Sequence, residues 1–338
     1  MELIYPSYYE KFHCIAGDCP DTCCKEWDVE IDPETEQFYR QLPGELGEKA
    51  RENLYEEDGH TYLAFPEGKC PLLRCDGLCG MQAAHGEAAL SQVCRKFPRL
   101  SQDYGSFEEL GLEMSCPEAA RIILTEARPS LICREVDGGE PGDYDEEVMA
   151  VLRRSRPVLM EIQEDEETPV PLRLVQMLFY GYHVQAQVDG GEETPFDREK
   201  AVADAEQFAQ AGNSGALVEF YENLEILTDR WKYLLETASD TPRWSEELCR
   251  YARYGVYRYY EQAVSDYDLV GRIKMILCGA ILASLLGKPT REDRIRVLQL
   301  YSKEIENDAD NVDALLDGAY MSPAMKDRSL LGILLGRK

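Results

Sequence analysis

The chain has 338 residues, with 64 acidic against 36 basic side chains and a formal net charge of −28. That length allows two or three globular units, and 44% hydrophobic residues are enough to fill a core. The acidity excludes a nucleic-acid backbone or an anionic membrane as partner, since both select clustered Lys and Arg; it leaves solubility, or attraction of a basic, lysine-bearing surface.

From the N-terminus, residues 1–11 show no basic stretch followed by an apolar one, so no signal peptide is expected. No apolar run is long enough to span a bilayer. The expected compartment is the cytoplasm, where thiols stay reduced and crowded cysteines read as metal-binding or catalytic rather than as a disulfide framework.

Nine of the twelve cysteines fall between positions 14 and 116. Cys14, Cys19, Cys23 and Cys24 come first. Side chains of the consecutive pair Cys23-Cys24 diverge, so one ligates while the other packs, or each serves a different centre. In Cys70-Pro-Leu-Leu-Arg-Cys75-Asp-Gly-Leu-Cys79, the Asp76-Gly77 turn folds Cys70 and Cys79 toward each other. Cys94 stands beside Arg95, Lys96 and Arg99, cations that favour its thiolate. Ser115 and Glu118 have capping-box spacing, which puts Cys116 in a first helical turn, where the helix dipole also favours a thiolate.

Spacing alone leaves the metal open. Structural zinc favours C-x2-C knuckles or Cys/His mixtures, and His13, His60 and His85 lack knuckle spacing. An all-thiolate shell drawn from scattered loops suits an iron–sulfur cluster equally. The radical C-x3-C-x2-C spacing fails, because Glu26 stands at its third step. Dinucleotide-binding, P-loop and serine-hydrolase motifs are absent. His183 has no partner signal.

Polar breaks at 137–143, 163–169 and 189–195 punctuate a helical pattern. Val148, Val151, Leu152 and Leu159 mark one helix. Pro195 starts another, with Thr194 as its cap. Leu217 through Trp231 reads as one long amphipathic helix and Leu248 through Tyr260 as a tyrosine-rich one. The latter suggests a stacking site or, more simply, a core helix whose hydroxyls reach its edges. Leu269 through Ile281 is apolar all round and so buried on all sides. Thr290 caps a helix through Ile305. The fold class is therefore mainly α: a cysteine-rich metal-binding region of short irregular elements over residues 1–135, then an α-helical domain over 146–338.

On these residues the chain resembles the flagellin lysine-N-methylases, FliB-like proteins that share the YkgJ-type cysteine cluster. The resemblance rests on Cys14…Cys19-Pro-Asp-Thr-Cys23-Cys24-Lys-Glu26-Trp-Asp-Val-Glu-Ile-Asp32, Cys70-Pro-Leu-Leu73 with Gly77-Leu-Cys79, Cys94-Arg-Lys-Phe-Pro-Arg99 and Ser115-Cys-Pro-Glu-Ala-Ala-Arg121. A weaker echo lies in Tyr301-Ser-Lys-Glu-Ile-Glu306. The resemblance covers residues 1 to about 127 and implies methyl transfer from S-adenosylmethionine to flagellin lysines, with a [4Fe-4S] cluster. By position it makes Cys14, Cys19, Cys23, Cys24, Cys70, Cys79, Cys94 and Cys116 the cluster ligands. It leaves out Cys75, and Cys133, Cys249 and Cys278 read as buried apolar residues. Arg95, Lys96, Arg99 and Arg121 are the candidate cofactor-binding cations, although no methyl-donor fingerprint of the Rossmann type is present. The alternative is a non-enzymatic zinc- or iron–sulfur-binding module, a metal chaperone or redox sensor.

Overall fold

A computed structural model describes residues 1–25 and 27–337. Glu26 and Lys338, the ends of two of the readings above, lie outside the described residues. Among the described residues, seven strands form two sheets. β1 (Glu2–Pro6), β2 (Val29–Ile31), β3 (Leu54–Glu57), β4 (His60–Leu63), β5 (Arg99–Asp103), β6 (Phe107–Leu112) and β7 (Leu131–Glu135) are ordered β5-β6-β1-β7 and β2-β4-β3. In the larger sheet β1 runs parallel to β6 and antiparallel to β7, with Leu3 opposite both Glu108 and Arg134. The smaller sheet is antiparallel throughout. Its β3–β4 turn places Asp58 and Gly59 both at positive φ, the geometry that suits Asp-Gly between strands.

Five helices accompany the strands: α1 (Pro33–Gln41), α2 (Glu45–Asn53), α3 (Gly80–His85), α4 (Gln92–Lys96) and α5 (Pro117–Thr125). Asp32 caps α1 by accepting from Thr35 N at 3.1 Å, with Pro33 preset at the first turn. Ten more follow: α6 (Glu146–Glu164), α7 (Val170–Val188), α8 (Arg198–Phe208), α9 (Ser214–Glu222), α10 (Asp229–Glu236), α11 (Glu246–Tyr259), α12 (Leu269–Leu285), α13 (Arg291–Tyr301), α14 (Ala309–Met321) and α15 (Asp327–Leu334). The mainly α class is borne out. The short irregular elements expected before residue 135 are instead two sheets. The strands are short, and β1 finds its partners more than a hundred residues away, a pairing that no local pattern displays.

Two apolar cores result. The main one joins Ile4, Phe107, Leu112 and Ile123 to the helices that follow, continuously across residues 135–146. Every residue of α12 is buried, as its all-round apolarity requires. Gly181 and Gly255 let α12 come close: a Cβ at either would stand 3.0 Å or less from Ile273 or Ile276. The tyrosine-rich α11 is a core helix. Tyr257 is buried and its hydroxyl donates to the carbonyls of Ile4 at 3.1 Å and Leu110 at 2.8 Å. A second, smaller core holds Val29, Ile31, Tyr39, Leu63, Leu72 and Met81 between the smaller sheet and α1–α3.

Three helix boundaries differ from expectation. Asp197, not Thr194, caps α8, accepting from Lys200 N at 2.9 Å. The helix expected from Leu217 to Trp231 is broken between α9 and α10. Thr228 caps α10, its hydroxyl donates to Glu304, and Glu225 N donates to Asn311 Oδ1 at 3.0 Å, so side chains capture the backbone there. Thr290 does cap α13, but the helix ends at Tyr301 and residues Ser302–Glu306 widen into a π turn. Among the described residues, no helix is long and apolar enough to cross a membrane.

Arg156 is buried between two acids. It donates a fork to Glu109 at 2.9 and 2.5 Å, and Glu261 stands 3.0 Å from the same guanidinium without a well-directed hydrogen bond. One cation cannot neutralise two desolvated carboxylates, so burial pushes Glu261 up from 4.5 to about 7. The folded state therefore binds a proton that the unfolded chain releases in this window. The stability it confers is complete below about pH 4.5 and is lost as pH rises through 7. Denaturation of Glu261→Gln across this range is expected to show a smaller loss of stability with rising pH than the parent; an unchanged slope would contradict the assignment.

Candidate metal centre

A cavity of about 770 Å³ opens between the two cores, and all eight motif cysteines line it. Three chain segments bring them there. The first is the loop from Phe12, which is buried in the main core, to Cys24. Cys14 Sγ accepts from Ala16 N at 3.4 Å and Cys19 N donates to Ala16 O at 3.1 Å, so a single helical turn separates the two thiols. Asp21 is anchored from the far end of the chain by Lys303 Nζ at 3.2 Å and Gln299 Nε2 at 3.4 Å. Trp27 Nε1 donates to Cys23 O at 2.8 Å.

The second segment carries Cys70 and Cys79. Cys70 N donates to Cys24 O at 3.0 Å and Lys25 bridges Lys69, which binds the two segments edge to edge. Gly77, at positive φ, closes the expected turn, and Leu73 pairs with Cys79. The third runs from α4 to α5. Ser91 caps α4 by accepting from Cys94 N at 3.2 Å. Cys116 is itself the cap of α5, not a first-turn residue, and its sulfur faces the Ala119 and Glu118 backbone N–H groups; among the described residues Ser115 Oγ is buried without a partner, and Glu118 turns to Arg121. Gln299 Nε2 holds Ser115 O at 2.7 Å.

The thiols are not equivalent. Cys24 accepts from the Cys23 and Cys70 thiols, which lowers it strongly and raises both donors. The consecutive pair therefore touches rather than diverging. Burial pushes Cys94 and Cys116 up to about 11, against the expectation that nearby cations and the helix terminus would lower them. Desolvation of the anion outweighs the lowering of Cys116 by the Ala119 and Glu118 backbone N–H groups at the helix start and of Cys94 by Ser91. Cys19 and Cys79 are raised by burial too.

Of the four expected cofactor-binding cations, Arg95 and Arg99 line the cavity. The Arg99 guanidinium lies 5.3 Å from the Phe12 ring. Lys96 and Arg121 lie off it, and Arg121 is held bidentately by Glu118 at 2.8 and 2.6 Å. The reading of the sequence missed Glu113 and the helical wall made by Arg258, Lys303 and Glu306. Arg258 donates to Tyr254 Oη at 2.6 Å and stands 3.4 Å from Glu306 and 3.6 Å from Glu113. Burial raises both carboxyls, against Arg258. The signal for this wall was the Tyr301–Glu306 echo, which falls on the π turn, a distortion frequent at functional sites.

Cys75 lies off the cavity, and Cys249 and Cys278 are buried in the helical core as expected. Cys133 is exposed on β7, because an edge strand turns it to solvent, and not buried as expected.

The donor set is all thiolate, which fits an iron–sulfur group as it fits four-cysteine zinc. Tetrahedral zinc at about 2.3 Å from each sulfur draws four ligands to within roughly 4 Å of one another. Among the described residues, no three His, Cys, Asp or Glu side chains are gathered for a single ion. The eight thiols are spread around the cavity. Substituting Cys70, Cys79 or Cys94 by alanine is expected to lower bound metal, measured by elemental analysis after anaerobic purification. Cys249→Ala and Cys278→Ala should leave it unchanged, and the opposite pattern would contradict the site.

No family model matches the chain, and no solved structure matches it. Over 128 residues it is 30% identical to the flagellar biosynthetic protein FliU of Salmonella muenchen, covering 36% of this chain and 76% of FliU. It is 29% identical over 128 residues to the lysine-N-methylases of Salmonella typhimurium and Salmonella choleraesuis, covering 36% of this chain and 32% of each. The matched stretch thus spans about three-quarters of FliU and a third of the methylases.

Proposed function

We propose that this chain, which belongs to the family of FliU and the flagellar lysine-N-methylases, methylates lysine ε-amines of flagellin or a similarly exposed protein, with S-adenosylmethionine as donor and a [4Fe-4S] group held by the cavity cysteines. The observation that carries the reading is the cavity itself, where eight thiols meet cations and carboxyls drawn from both halves of the chain. When bound, an iron–sulfur group would supply a soft, electron-rich surface for engaging the sulfonium donor. Arg95 and Arg99 are the side chains to hold the donor's carboxylate.

Methyl transfer breaks the donor's sulfur–carbon bond and forms a nitrogen–carbon bond, so the incoming lysine must first become a neutral amine. Glu113 is the group proposed to take that proton. It lines the cavity, its side chain is 15% exposed, and burial holds it above the usual carboxylate range, closer to neutrality, where a base works best. Arg258 behind it fixes its orientation. The acidic surface favours approach of a lysine-bearing partner.

Two outcomes are expected. Intact-mass spectra of flagellin should show increments of about 14 Da, one methylene each, in cells carrying this gene and none in cells lacking it. Equal masses in both strains would leave the metal-binding module without methyl transfer as the reading. In a reconstituted assay, Glu113→Gln should lower turnover about 100-fold or more with bound metal unchanged; parent-like turnover would remove Glu113 from the role.

A further inference from the structure

We infer that the cavity holds two neighbouring four-thiolate centres, one ligated by Cys24, Cys70, Cys79 and Cys94 and the other by Cys14, Cys19, Cys23 and Cys116. The inference rests on the iron–sulfur reading above and adds the number and composition of the centres.

The two sets belong to opposite walls. Cys70 and Cys79 pack against the smaller core, and Cys116 packs against the main one. The backbone ties each set together separately. Cys24 and Cys70 are joined by their main-chain bond and the Lys25–Lys69 bridge, and Cys79 by its pairing with Leu73. Cys94 joins the same wall through α4, whose Gln92 N donates to Asp32 Oδ2 at 2.8 Å, at the end of β2. On the other wall, Gln299 spans Asp21 and Ser115, so one side chain positions the Cys14–Cys23 loop against Cys116.

For the thiols other than Cys23, neighbourhoods follow the same division. Cys24 hydrogen-bonds Cys70, while Cys79 and Cys94 each lie within electrostatic reach of Cys24, and Cys94 of Cys79. Cys116 lies within reach of Cys19 and Cys14, while Cys23 lies within reach of Cys24, Cys94 and Cys14 and so stands where the two sets meet; the chain places it at the end of the loop that Asp21 anchors. The sets meet at the Cys23–Cys24 contact, which makes the centres neighbours. Consecutive or closely spaced cysteines that serve different clusters are an established arrangement in two-cluster ferredoxins. A four-iron cluster takes four thiolates, so eight cavity thiols complete two sets and leave no cavity thiol idle.

The test is metal content of the full chain, purified anaerobically and reconstituted with iron and sulfide. About eight irons per chain are expected, falling to about four in Cys79→Ser, Cys94→Ser, Cys19→Ser or Cys116→Ser, and to none in Cys79→Ser combined with Cys116→Ser. Helical circular dichroism matching the parent controls for folding, and Mössbauer spectra of the single variants should separate two sub-spectra that sum to the parent's. About four irons in the parent, or loss of all iron in any one single variant, would overturn the division while leaving the iron–sulfur reading in place. Two zinc ions per chain, each lost with its own set, would overturn the iron–sulfur reading and support the division.

Discussion

Asp21 sits in a loop near the N-terminus and is gripped by Gln299 and Lys303, nearly three hundred residues later. On that contact, and on the Cys24–Cys70 main-chain bond, depends where eight thiols stand. The cysteine loop has few apolar residues of its own and cannot fold alone. Phe12 anchors it in one core and the Cys24–Cys70 bond ties it to the other, so the cavity exists only because both cores are complete. The helical half is thus part of the centre, through Gln299, Lys303 and Arg258, as well as a support for it.

The state of the thiols sets the chemistry of loading. Cys19, Cys79, Cys94 and Cys116 are raised by burial, Cys23 and Cys70 by their hydrogen bonds to Cys24, and a thiolate is what a soft metal binds. Metal entry must therefore expel protons from the cavity, and affinity falls as pH falls. Cys24 is the exception, already favoured as a thiolate by two donor thiols. It is the natural first ligand, at the point where the two walls meet. Arg95, Arg99 and Arg258 add positive charge around the cavity in a strongly acidic molecule, which suits a thiolate-rich inorganic group.

Much of this was legible from residue order. The cysteines that line the cavity are those of the motifs, and Asp76-Gly77 turns as its composition demands. The all-apolar α12 and the core role of the tyrosine-rich α11 followed from periodicity. What was hidden depends on distance along the chain. β1 pairs with residues beyond position 105 and the Glu113–Arg258–Glu306 group is assembled from three elements, so no window of sequence contains either. The break between α9 and α10 was missed because Glu304 and Asn311 capture backbone and cap groups there, against a helical pattern. The thiol affinities were misjudged for Cys94 and Cys116 because charges are visible in a sequence and burial is not.

The central claim is that the thiols of this cavity carry an iron–sulfur group. Iron K-edge X-ray absorption on the anaerobically purified chain tests it most directly, because it reads the atoms around the metal without reference to activity. A first shell of sulfur alone, with further iron just beyond it, is the expected result. A first shell containing nitrogen or oxygen, or iron with no second metal nearby, would contradict it.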